Sequence, residues 1–174
     1  MTRSTVLKAA TAAVILFSVV AIRCWYLVDQ HRKQRYTEAD LRSLSIALDN
    51  YAGEHEGHFP EVEALLVVSS TPSPAQGFER RPPPAWPLRS EAIAARLHSA
   101  LVPAYIRRLP EVDRWGQPIL VGITTDRRHF TLLSRGRDGL LDPAHPHVFP
   151  PDEFDHDLIV SDGVFICFPD GDAP

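Results

Sequence analysis

Disulfide chemistry has almost nothing to work with in this chain, because its 174 residues hold only two cysteines, Cys24 in an apolar N-terminal run and Cys167 near the other end. That spacing builds neither a disulfide framework nor a thiolate metal motif, and both residues read as free thiols outside any site. Glycine is scarce too, nine in all, and none sits in a phosphate-cradling loop, a dinucleotide fingerprint or a nucleophile elbow. An enzyme is therefore not expected, and with it no small-molecule substrate. A basic stripe is also missing. Eighteen Lys and Arg are interspersed among 22 Asp and Glu, for a net charge of -4, which argues against a nucleic-acid partner. At this length the chain has room for one ordinary domain and an anchor.

What is present begins with the anchor. From Val6 to Ile22 the run VLKAATAAVILFSVVAI carries one charge, Lys8, and continues through Arg23 and Cys24 into Trp25, Tyr26, Leu27 and Val28. With Lys8 and Arg23 reaching headgroups and the two aromatics at the interface, residues 1–28 predict a membrane-spanning helix, for which about 20 apolar residues suffice. The competing reading is a secretory signal ending at Val19-Val20-Ala21. Basic residues lie at both ends of the run, Arg3 and Lys8 at its start and Arg23, Arg32, Lys33 and Arg35 beyond its end, so charge alone does not orient it.

Residues 29–60 predict a helix carried on from the anchor into the domain. Leu41, Leu44, Leu48 and Tyr51 recur at spacings of three and four with Ala47 and Ala52 beside them, and the helix should end between Gly53 and Gly57, before Phe59-Pro60. Thr37 with Asp40 is a candidate cap, and a soluble unit is expected from about Thr37 onward. The globular region is 61–174. Glu61–Val68 could prolong the helical layer, residues 71–88 form a Pro-rich loop containing Arg80 and Arg81, and Ser90–Leu101 reads as a short helix with Ile93, Leu97 and Leu101 on one face. Strands are expected at Pro118–Thr124, His129–Ser134, Leu158–Ser161 and Val164–Phe168, the last pair joined by Asp162-Gly163, a strong hairpin signal. The order, a long amphipathic helix, a short helix and a small antiparallel sheet, is an α+β arrangement.

Two loops carry candidate chemistry. Ser134-Arg135-Gly136-Arg137-Asp138-Gly139 leaves a strand with two glycines that permit positive φ, so carbonyls and a carboxylate can turn toward one point. Asp155 and Asp157 return from downstream to complete an oxygen set of the kind a calcium ion takes, six to eight ligands mixing carboxylates and carbonyls. The plain alternative is a turn with solvated acids. Trp115, in Asp113-Arg114-Trp115-Gly116-Gln117-Pro118, reads as a buried packing anchor under the long helix. His145, His147, Asp152 and His156 offer a zinc alternative, and through it a hydrolase, but Pro146, Pro150 and Pro151 break any regular spacing.

Four segments in order, LRSLSIALDNYAGEHEGHFP (41–60), LPEVDRWGQPI (109–119), FTLLSRGRDG (130–139) and DHDLI (155–159), resemble the major pseudopilin of the type II secretion system across about Thr37 to Val160. The resemblance implies a structural subunit of a secretion or pilus-like assembly, single-pass in the bacterial inner membrane with its domain in the periplasm and with other pseudopilin or secretion-system subunits as partners. It also implies one structural calcium held by Asp138 and Asp157, with the Ser134 oxygen and the Arg135 backbone carbonyl as donors and Asp155 as a substitute where His156 replaces an acid. Departures are specific. No Gly precedes Ala9 and no acid lies between Met1 and Val28, so processing by prepilin peptidase is not expected, and Arg114 stands where that family has Pro. A tethered calcium-dependent binding module outside any filament is the second reading.

Overall fold

The structure, a computed structural model, describes residues 3–61, 91–142 and 147–169. Its spine is α1 (Arg3–Glu54), 52 residues in one helix, roughly 78 Å long at about 1.5 Å per residue. From Ala13 onward α1 is long and apolar enough to cross a bilayer, and Val14, Ile15, Leu16, Phe17 and Val28 are all exposed. Burial begins abruptly at Gln30 and follows one stripe through Gln34, Thr37, Leu41, Leu44 and Leu48. These alternating steps of four and three are the signature of a helix with one packed face. The stripe thus starts two turns before the Thr37 boundary expected from hydrophobicity, because its first members are polar.

α1 stops where the backbone turns left-handed. Glu56 and Gly57 have φ of 56° and 78°, and the Gly57 N–H reaches back to the Ala52 carbonyl at 2.8 Å, satisfying an orphan carbonyl of the last turn. The exit is then clamped in both directions: Phe59 N–H donates to the Arg127 carbonyl at 2.8 Å and Arg127 Nε donates to the Phe59 carbonyl at 2.7 Å.

α2 (Glu91–Leu101) buries Leu97 and Leu101 against the same core. Ser90, the Pro-rich loop and nearly all of the Glu61–Val68 extension lie outside the described residues. The sheet has five strands, β1 (Leu120–Ile123), β2 (Phe130–Ser134), β3 (His147–Phe149), β4 (Leu158–Ser161) and β5 (Val164–Pro169), in the order β1-β2-β4-β5-β3. The four strands expected from sequence pair antiparallel. β3, in a segment where no strand was expected, adds to the far edge parallel to β5, with His147 opposite Cys167. The sheet is therefore mixed, not antiparallel. A strand of three residues bounded by Pro146 and Pro150 leaves little periodicity, and prolines are tolerated at an edge where no ladder bond is lost. The β4–β5 hairpin turns on Asp162 and Gly163, φ 47° and 83°, the left-handed pair that Asp-Gly favours.

α1 crosses the central strands β2 and β4. Between them lie Leu41, Leu44, Leu48 and Ala52 of α1, Leu97 and Leu101 of α2, and Phe130, Leu132, Leu158 and Val160 of the sheet, with Phe59 edge-on to Phe130 at 4.9 Å. Leu48, fully buried, and Ile46, more than half exposed, stand two residues apart on opposite faces. Leu48→Ala should cost about 2–5 kcal/mol by cavity formation, whereas Ile46→Ala should stay within about 0.5 kcal/mol. Urea unfolding of the two variants checks this.

Candidate metal centre

Three loops gather around α1 where it enters the domain, and each is fastened to it by a different contact. The 113–117 turn is organised by Asp113, which is 4% exposed. Its Oδ1 accepts from Trp115 N–H (2.9 Å) and Gln117 N–H (2.8 Å), and its Oδ2 accepts from the Ser134 hydroxyl at 2.7 Å. Trp115 is only half-buried. It is therefore not the buried packing anchor expected from sequence; its tie to α1 is polar, the indole N–H donating to Gln30 Oε1 at 2.8 Å. Arg114 adds a backbone bond to Thr37 Oγ1 (3.2 Å) and an ion pair with Asp40 (2.8 Å).

The turn after β2 lies flat against the 154–156 backbone. Gly136 has φ of 60°, and a Cβ there would stand 2.6 Å from the His156 carbonyl oxygen and 2.9 Å from that of Phe154, so only glycine fits. Arg137 N–H donates to the Phe154 carbonyl at 2.8 Å. The Arg137 guanidinium grips Asp155 through both oxygens, at 2.7 and 2.6 Å, and reaches Tyr26 Oη at 3.0 Å. The bidentate bonds hold the Asp155 carboxyl below its usual range. Phe154 meets His31 of α1 edge-on at 5.0 Å.

The residues expected to hold calcium are thus partly dispersed. Asp155 faces Arg137, and the Ser134 hydroxyl is given to Asp113. Asp138 caps its own turn, Oδ1 accepting from Leu140 N–H at 2.9 Å. Arg135 follows β2 with its Nε buried and unpartnered and its Nη2 3.4 Å from Gln117 Oε1.

Asp157 is the centre of what remains. It is 1% exposed; its Oδ2 accepts from Asp142 N–H at 3.0 Å, while Asp142 Oδ2 accepts from Asp157 N–H at 3.2 Å. This reciprocal clasp leaves Asp157 Oδ1 buried with no hydrogen-bond partner, an arrangement that costs several kcal/mol for a bare carboxylate. Burial, then the charges of Asp142 and Asp138, push the Asp157 carboxyl up to about 7 against the restraint of the Asp142 N–H bond. His156 closes the group, Nδ1 2.8 Å from Asp142 Oδ2 and Nε2 2.7 Å from Glu153 Oε2. Its desolvation is outweighed by those two acceptors, so it holds its proton more firmly than a free imidazole.

Asp142 was not singled out in the sequence. Its signal would have been an acid one residue beyond an apolar pair, Leu140-Leu141, at the close of the Gly-rich turn. For zinc, His145 lies outside the described residues and His156 is committed to two acids. Among the described residues no three His, Cys, Asp or Glu side chains form a ready metal-holding group. The fit to a hard cation therefore rests on one preformed feature, the orphaned Asp157 oxygen, with the Asp138 and Asp142 charges beside it. No protein-family model, no curated protein and no solved structure matches this chain.

Trp115→Phe keeps the ring but strands Gln30 Oε1, and should cost about 1–3 kcal/mol, read by urea unfolding. A second expectation concerns pH. The folded Asp157 carboxyl titrates at about 7, above the unfolded value near 3.9. Its stabilising contribution is complete below the unfolded value and is lost as pH rises through about 7, of order 4 kcal/mol in all. In chelator, wild-type stability should fall across that window relative to Asp157→Asn, and equal slopes for the two proteins would contradict the assignment.

Proposed function

We propose that this chain is a non-enzymatic, membrane-anchored structural subunit of a type II secretion or related pilus-like system, with a structural calcium site in its aspartate loops. In this reading it is single-pass in the bacterial inner membrane, its domain is periplasmic, and its partners are other pseudopilin or secretion-system subunits. The observation that carries the reading is α1 itself. One unbroken helix is exposed and mostly apolar from Ala13 to Val28 and becomes the buried spine of a small α+β domain from Gln30. Anchor and spine in one helix fits the single-pass subunit that the resemblance implies.

Calcium is supported by the unpartnered Asp157 Oδ1. A divalent ion there would offset most of the negative charge of Asp157, Asp142 and Asp138 and tie the 136–142 turn to the start of β4, with carbonyls of the turn available as further oxygens. The absence of any acid between Met1 and Val28 favours the second reading, a tethered calcium-dependent module that does not enter a filament.

For the purified full chain in detergent, calcium should raise the unfolding midpoint and chelator should lower it. The gain is about 2.7 kcal/mol at a hundredfold excess over Kd. Asp157→Asn and Asp142→Asn should abolish the response, while Asp155→Asn should keep it. No response in wild type would remove the calcium site. Cross-linking of intact cells separates the two readings: complexes with other anchored subunits support assembly, and recovery of monomer alone supports the tethered module.

A further inference from the structure

The loops around the candidate cation site sit at the level where α1 leaves its apolar stretch. Trp25 and Val28 are 71% and 65% exposed, and two residues after Val28 the helix is buried at Gln30, so no linker separates the apolar segment from the domain. The turn after β2 reaches lowest along α1: Arg137 Nη1 donates to Tyr26 Oη at 3.0 Å, about a turn before Gln30. At the close of that turn Leu140 is 67% exposed, on a loop with neither strand nor helix around it to explain an outward Leu. Arg and Tyr at an apolar boundary, with an exposed aliphatic beside them, is the side-chain combination that settles at a bilayer interface.

Resting on the reading of α1 as a membrane anchor, we infer that the Gly136–Leu140 turn lies on the headgroup layer of the same membrane, with Leu140 dipping among the headgroups and Arg137 at phosphate depth. Arg137 spends two nitrogens on Asp155 and one contact on Tyr26, which holds the guanidinium facing the boundary. The domain is then seated on the bilayer, its tilt set by three contacts with α1, Tyr26–Arg137, Gln30–Trp115 and His31–Phe154. The opposite end of the sheet provides an internal reference. Val164 is 62% exposed in the hairpin whose Gly163 faces Asp49, roughly 35 Å further along α1 from Tyr26 at about 1.5 Å per residue.

The test uses the full chain in vesicles of phosphatidylethanolamine and phosphatidylglycerol. An environment-sensitive fluorophore is attached at Leu140→Cys or, separately, at Val164→Cys, in a Cys24→Ser background that retains the buried Cys167. Two quenchers are applied: iodide in the water and lipid spin-labelled at the headgroup. The label at 140 should be quenched several-fold less by iodide and several-fold more by the spin-labelled lipid than the label at 164. Equal behaviour of the two positions in a chain that floats with the vesicles overturns the contact and leaves the anchor standing. Protection at 140 from iodide without quenching by the spin-labelled lipid assigns Leu140 to a protein neighbour and also overturns it. A chain that does not float overturns the contact together with the anchor.

Discussion

Among the described residues, the core of the domain is registered against one face of α1. Gln30, Gln34, Thr37, Leu41, Leu44 and Leu48 form a single buried stripe, but its two halves are held by different forces. The Leu half is covered by β2, β4 and α2, and burial of each such side chain contributes on the order of 1.5–3 kcal/mol. The polar half gains little from leaving water and is stable only if its hydrogen-bonding groups find partners. Trp115 supplies one for Gln30 and the Arg114 backbone one for Thr37. The stripe therefore specifies position twice, by shape where it is apolar and by bond direction where it is polar.

That division decides which parts of the fold were legible in the sequence. Leu41, Leu44 and Leu48 announce themselves by periodicity, and Asp162-Gly163 between apolar runs announces its hairpin. The lower half of the stripe has the same spacing written in Gln, Gln and Thr, and hydrophobicity does not register it. Its signal is comparative: uncharged polar residues recurring at helical spacing within a segment otherwise full of charge, Asp29, Arg32, Lys33, Arg35 and Glu38. β3 is hidden for a different reason, since three residues between prolines carry no usable pattern. Its parallel pairing with β5 depends on a chain crossing that no local rule foretells.

At the candidate site the acids singled out in the sequence lie on loops that the fold brings near one another, but they do not all meet. Asp157 and Asp138 lie together. Asp155 is drawn off by Arg137, an Arg placed three residues after Ser134 whose bidentate match with a carboxylate is strong enough to claim it. Asp142 takes the place beside Asp157 because the loop folds back until each carboxylate meets the other's backbone N–H. Asp113, read only as a neighbour of Trp115, turns out to hold the turn and to occupy the Ser134 hydroxyl. Local sequence lists the acids, while the partner each one takes is settled by the tertiary path that brings an Arg, a Ser or an N–H within reach.

The loops that hold the acids are also the ones that grip α1 around Gln30, so a polar contact at Gln30 should govern order in the 136–142 turn. Amide hydrogen exchange of the full chain in detergent micelles, compared between wild type and Gln30→Ala, tests this dependence directly. Amides of 113–117, 136–142 and 153–157 should lose protection together in the variant, while those of β2 and β4 keep theirs. Loss spread evenly over the whole domain, or no loss outside 113–117, would contradict the view that the polar half of α1 positions the site.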